Sequence, residues 1–106
     1  MNNIETSGLS QNEIGKLLQA TIRHNPNHIS SDMGDEKVIL SIENSKYYNL
    51  GLMGSLIWEH MKEPIQFSAL ISLLTEIYDV DRPTCEVQLL PFINHLHSEN
   101  LIHIQY

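Results

Sequence analysis

Cysteine occurs once in this chain of 106 residues, at Cys85, so no internal disulfide can form and nothing calls for an oxidising compartment. Cations are almost as scarce. Six Lys and Arg stand against 13 Asp and Glu, for a formal charge of -7. Lys16, Arg23, Lys37, Lys46, Lys62 and Arg82 are scattered singly, and from Thr84 to Tyr106 there is none. Affinity for nucleic acid comes largely from clustered cations that neutralise phosphates, so nucleic acid would be repelled and is not expected as a partner. No apolar run reaches the roughly 20 residues of a membrane-spanning helix, and residues 1–10 are polar with no apolar signal core. The expectation is a cytoplasmic protein with no membrane partner. The length supports one compact core and excludes a multidomain enzyme, since a chain of this size hides roughly 65% of its unfolded surface.

Catalytic signatures are also missing. The chain has no G-x-G-x-x-G, no G-x-x-x-x-G-K-[ST], no G-x-S-x-G and no H-E-x-x-H. Cys85 falls on an apolar helical stripe, where a thiol behaves as a small hydrophobe. Among six histidines, His95 and His97 lie two apart on an expected helix and point to opposite sides. His24 and His28 are separated by Pro26, which argues against a shared helical face, and neither has a partner at zinc-site spacing. The expectation is no catalytic residue, no metal and no cofactor. Asp32, Asp35 and Glu36 read as a solvated turn.

What is present is hydrophobic pattern. After the unpatterned lead-in over residues 1–9, Ile14, Leu17 and Leu18 recur at helical spacing, and Ile22 is a candidate to continue it. Ser10 and Glu13 have the capping-box form, which predicts a short helix over 11–20. Asn25-Pro26-Asn27 breaks it. His28 to Asp32 reads as a short strand, Gly34-Asp35 as a turn, and Val38, Leu40 and Ile42 alternate as a half-buried strand does. A hairpin turn at Asn44-Ser45 returns the chain through Lys46, Tyr47, Tyr48, Asn49 and Leu50. Periodicity alone allows two readings of that last strand, an ordinary amphipathic strand or a binding edge.

Beyond Gly51 the period becomes helical, with Leu52, Met53, Leu56, Ile57 and Met61 on one stripe. A second helix carries Phe67, Leu70, Ile71, Leu74, Ile77 and Tyr78 on a buried face. Asp81 caps a third, Pro83 sits in its first turn, and its stripe is Cys85, Leu89, Phe92 and Leu96, with Val87, Leu90 and Ile93 off it. Pro91 kinks that helix or leaves one carbonyl unpaired. Leu101 to Ile104 adds a last short strand. The fold class is α+β: a small antiparallel sheet on a three-helix layer, with an extra N-terminal helix.

Taken in order, Gly34 to Leu40, Lys46 to Leu50, Gly54, Ile57-Trp58, Pro64, Leu74, Tyr78-Asp79-Val80, Cys85, Phe92, Leu96 and Leu101-Ile102 carry E-x-V-x-L, Y-Y-x-L, G-x-x-I-W and Y-D-V-x-x-x-x-C in register. Over about His28 to Ile104 this resembles the PqqD-like proteins, and within them the stand-alone precursor-recognition proteins of lasso-peptide clusters. The resemblance implies a winged helix-turn-helix-like fold of three strands and three helices. It divides the chain into an N-terminal extension over 1–20, helical from 11, and a peptide-recognition domain over 21–106.

Members of that family bind the leader of a ribosomally made precursor peptide and present it to tailoring enzymes. The leader adds as a strand beside the third strand and packs on the third helix, here Lys46 to Leu50 and about Pro83 to Glu99. The leader-binding residues implied are Lys46, Tyr47, Tyr48, Asn49, Leu50, Gln88, Pro91, Phe92 and His95. The partners implied are a leader-removing cysteine protease and an ATP-dependent macrocyclase, the chain itself being no enzyme. Service to a radical-SAM maturase is the alternative, ahead of a winged-helix DNA-binding regulator and a small metalloprotein. Monomer and domain-swapped dimer are both open. The chain departs from the family pattern at Gly51 for Asn, Gln88 for Asp and Asn100 for Gly, and the N-terminal helix lies outside the shared region.

Overall fold

The protein is described here by a computed structural model covering residues 11–106. The lead-in over 1–9 and the Ser10 cap lie outside the described residues. The chain opens with α1 (Gln11–Gln19), whose Ile14 and Leu17 are buried where the periodicity puts them. It then enters β1 (Thr21–His24), β2 (His28–Met33), β3 (Glu36–Ser41) and β4 (Lys46–Asn49). Helix α2 (Gly51–His60), the two-residue β5 (Ile65–Gln66), α3 (Phe67–Tyr78), α4 (Arg82–Ser98) and β6 (Ile102–Gln105) complete it. The α+β class holds, and the winged helical arrangement is recognisable in α2, α3 and α4 with the β2-β3-β4 wing.

The sheet content exceeds the expectation. Among the described residues there are two three-stranded antiparallel sheets, β2-β3-β4 and β5-β1-β6. The second gathers Thr21–His24, the Ile65–Gln66 link and the C-terminal strand, with Ile22 opposite both Ile65 and Ile104. Two of its strands are four residues long and one is two, too short for a period of two to declare itself. Ile22 is therefore a buried strand residue rather than a continuation of α1. Because β1 precedes the family's strands and α1 its helices, the family's third strand and third helix are β4 and α4.

Helix α4 corrects the single stripe read from the sequence. Leu90 and Ile93 are buried along with Cys85, Leu89 and Leu96, while Phe92 is only half-buried. The helix touches α3 and β6 at once, so its buried arc is wider than one stripe. Val87, at 51% exposure, stays outside. Asp81 caps α4 as expected, its carboxylate accepting from the Thr84 N–H at 3.2 Å and the Thr84 hydroxyl at 3.0 Å. At the far end Asn100 adopts φ 59°, the left-handed position that favours Gly or Asn, and Leu101 N–H returns to Leu96 O at 2.8 Å.

The wing is tied to the helices at several points. The alternation read from sequence is reversed in β3: Ile39 and Ser41 are buried in place of Val38, Leu40 and Ile42, with Ile42 exposed, because the strand turns its other face to the helices. The Lys37 N–H donates to Ser55 Oγ on α2 at 2.7 Å, and Lys37 Nζ bridges Asp32 and Glu59 at 2.6 and 3.0 Å. Across the linkers, Glu43 Oε1 accepts from Asn25 Nδ2 at 3.1 Å and Asn100 Nδ2 at 2.7 Å. Among the described residues no helix is long and apolar enough to cross a membrane.

Candidate functional site: the β4 edge and the α4 face

Strand β4 is the end of its sheet, with β3 on one side and no strand on the other among the described residues. Its register sets Tyr48 opposite Ile39 and Tyr47 opposite Leu40. Leu50 N–H donates to Lys37 O at 3.1 Å. Since inward and outward bonding alternate along an antiparallel strand, Tyr48 and Lys46 bond towards β3. The backbone N–H and C=O groups of Tyr47 and Asn49 then line the outer edge. That edge is where an extended peptide can add.

Beside β4 lies α4, running the opposite way. Tyr48 reaches the C-terminal end of the helix, its hydroxyl donating to Glu99 Oε1 at 2.5 Å. Leu50 meets the N-terminal half, where it shares with Gln88, Leu89 and Phe92 an apolar cavity of about 410 Å³. The remaining walls are Met53, Gly54 and Ile57 of α2, Leu74 and Tyr78 of α3, and Val80 and Cys85. Gly54 lets α2 approach: a Cβ there would stand 3.1 Å from Phe92 Cε1. Burial pushes the Cys85 thiol pKa up, which keeps it an apolar wall rather than a thiolate.

The residues read from sequence fall into three groups. Leu50, Gln88 and Phe92 come together in the cavity. Lys46, Tyr48 and His95 gather around Glu99, whose carboxyl is held below its usual range by the Tyr48 hydroxyl, with Lys46 and His95 adding to the effect. Tyr47 and Asn49 lie on the outer face of the wing, Tyr47 at 74% exposure. The Asn49 side chain is engaged locally, accepting from the Gly51 N–H at 2.9 Å. Pro91 is exposed on α4 and is not among the walls of this cavity.

Sequence reasoning missed Glu99 and Asn44, because neither lies on an apolar stripe and their meeting joins residues 55 apart. It also missed Met53, Gly54, Leu74, Tyr78 and Val80 as cavity walls, although Gly54 and Tyr78-Asp79-Val80 stood in the shared motifs. Gly51 has φ +74°, a backbone position that glycine adopts without strain and Asn tolerates better than most, which accounts for the exchange noted above.

No convergent metal set exists among the described residues. His24 and His28 do come together, yet around Trp58 rather than around a vacant centre. His24 stacks on the indole at 3.7 Å and directs Nε2 to Trp58 O at 2.9 Å, while His28 directs Nδ1 to Asn25 O at 2.6 Å. Nor does α4 suit a DNA groove. Its one cation, Arg82, sits at the N-terminus and donates to Ser72 Oγ at 2.9 Å.

Comparison with known proteins agrees with this geometry. The solved structure of TbiB1 in complex with the TbiA(beta) leader peptide is similar to this chain at a TM-score of 0.67 and 27% sequence identity, covering 76% of this chain and 94% of that one. None of the curated proteins compared matches it. The family described as coenzyme PQQ synthesis protein D (PqqD) matches residues 36–102, the span that holds β3 and β4 of the wing, α2, α3, α4 and the cavity between them, and leaves β2 outside. This chain belongs to the PqqD family.

Proposed function

We propose that this chain binds the leader of a ribosomally made precursor peptide as a fourth strand on β4, and that it performs no chemistry itself. One observation carries the reading: an unpaired strand edge runs beside α4 and ends at an apolar cavity. Main-chain bonding to the edge supplies affinity for any extended segment, and the cavity selects which apolar side chain the segment must carry. The similarity to a protein solved with a leader peptide supports the same assignment. The other edge of the wing, β2, pairs with no further strand among the described residues and is longer, but it is exposed along nearly its whole length and contributes no residue to this cavity. The enzymes served are the leader-removing cysteine protease and ATP-dependent macrocyclase of lasso-peptide maturation, on the strength of the ordered motifs shared with that group.

The test is a calorimetric titration with a synthetic leader taken from the precursor gene beside this one. Binding at micromolar concentration or tighter is expected, with amide exchange slowed at Tyr47 and Asn49 and unchanged along β2. Phe92→Ala removes a ring from the cavity wall and should weaken binding roughly tenfold or more, as expected for losing about 1.5–3 kcal/mol of apolar contact. A wild-type protein that ignores the leader, or a leader that protects β2 instead, overturns the assignment. Adding the purified protease and macrocyclase then separates lasso maturation, in which this chain accelerates leader removal and ring closure, from service to a radical-SAM maturase.

A further inference from the structure

The Tyr48 hydroxyl does not point outward for a ligand. It donates to Glu99 Oε1 at 2.5 Å and accepts from Asn44 Nδ2 at 2.9 Å, and Asn44 Nδ2 also reaches the Glu99 backbone oxygen at 2.7 Å. The three residues close a triangle between the tip of the wing and the end of α4. Each corner is itself held. Asn44 N–H donates to Ser41 Oγ at 3.0 Å, Ser45 turns the hairpin at φ 54°, and Glu99 N–H bonds back to His95 O at 3.0 Å. At the opposite end of β4, Leu50 meets Phe92 and Gly54. The strand is therefore pinned to α4 twice, by a polar contact at Glu99 and an apolar one at Phe92. From Phe92 to Glu99 the helix runs about 10 Å, room for roughly three residues of extended peptide.

We propose that Asn44, Tyr48 and Glu99 are positioning residues that hold β4 at a set distance from α4, so that the strip between them is formed before a peptide strand enters. This rests on the leader-binding reading and deepens it: the triangle touches no leader and acts through the wing. The fold does not depend on it. The wing has its own anchors in the buried Ile39, the Lys37–Ser55 bond and the Glu43–Asn25–Asn100 set. What the triangle contributes is preorganisation. A receptor edge already in place spares the incoming strand the cost of ordering it, and the gain appears in affinity rather than in stability.

The experiment compares wild type with Tyr48→Phe, Glu99→Ala, the double variant and Glu99→Gln. In peptide-free protein, amide exchange over residues 44–50 should quicken in Tyr48→Phe and Glu99→Ala and stay at the wild-type rate in Glu99→Gln, whose amide oxygen still accepts the phenol. With the synthetic leader from the adjoining precursor gene, Tyr48→Phe and Glu99→Ala should each weaken binding three- to tenfold. The double variant should be no worse than either, Glu99→Gln should bind like wild type, and thermal midpoints should stay close together. Wild-type binding with equal affinity in every variant, or losses that add in the double variant, overturns the positioning role and leaves the leader reading standing. A wild type that does not bind overturns the leader reading. Unchanged exchange over 44–50 in peptide-free Tyr48→Phe and Glu99→Ala overturns the positioning role without any peptide.

Discussion

His24 lies flat against Trp58, a residue only 1% exposed, with His28 edge-on to both rings. Burial lowers the His24 pKa, opposed by its bond to Trp58 O and helped by His28. The sign follows directly. A histidine whose folded pKa lies below the unfolded value of about 6.5 favours the folded state fully above that pH, and loses its contribution as pH falls through 6.5 toward the folded value. Thermal midpoints should therefore drop between pH 7.5 and pH 5.5. His24→Phe, which keeps the stack on Trp58 but has nothing to protonate, should flatten the drop. Gly54 is a second single-residue lever. Gly54→Ala should leave the stability within about 1 kcal/mol of wild type, helix propensity offsetting the crowding, yet weaken leader binding because the Phe92 ring must shift into the cavity it lines. Paired melting and titration of the variant separate the two effects.

Among elements, the linkers do more than connect. Asn25, 4% exposed, uses its amide nitrogen on Glu43 and on Asn100 O and its oxygen on the Asn27 N–H, which joins the β1–β2 linker, the wing and the α4–β6 linker. Asn25→Ala leaves these groups without their partner and should cost about 1–3 kcal/mol, read as a lower midpoint in urea with an unchanged slope. None of this was legible in Asn25-Pro26-Asn27, which reads as a helix breaker because local chemistry says only where regular structure stops. By contrast α3 was legible as far as Leu74, because Phe67, Leu70, Ile71 and Leu74 face one side at a single period, whereas Ile77, read on the same buried face, is exposed past the end of the covering surface. In α2 likewise Ile57 and Met61 are buried but Leu52, Met53 and Leu56 of the same stripe are exposed. Helix α4 was legible in extent and cap but not in its buried arc, since two neighbours cover it from different directions. The second sheet was illegible for the same reason: its strands are short, distant in sequence, and defined only by pairing with each other.

For the whole molecule, charge is the dominant global property. A formal charge of -7 and an α4 with no cation after Arg82 predict no salt-sensitive retention by duplex DNA at low ionic strength, and a gel-shift titration checks this. The sequence by itself determined the helices α1 to α4, the β3–β4 hairpin, and the family through motifs spread in register along the chain. These depend on composition and on neighbours a few residues apart, which is the range over which side-chain periodicity and capping act. Only the tertiary structure decided that Tyr48 turns inward to Glu99, that Leu50, Gln88 and Phe92 share a cavity with α2 and α3, and that Tyr47 and Pro91 stand apart from it. Each of those outcomes depends on which surfaces meet when residues about 40 to 50 positions apart pack together, and no local pattern encodes that choice.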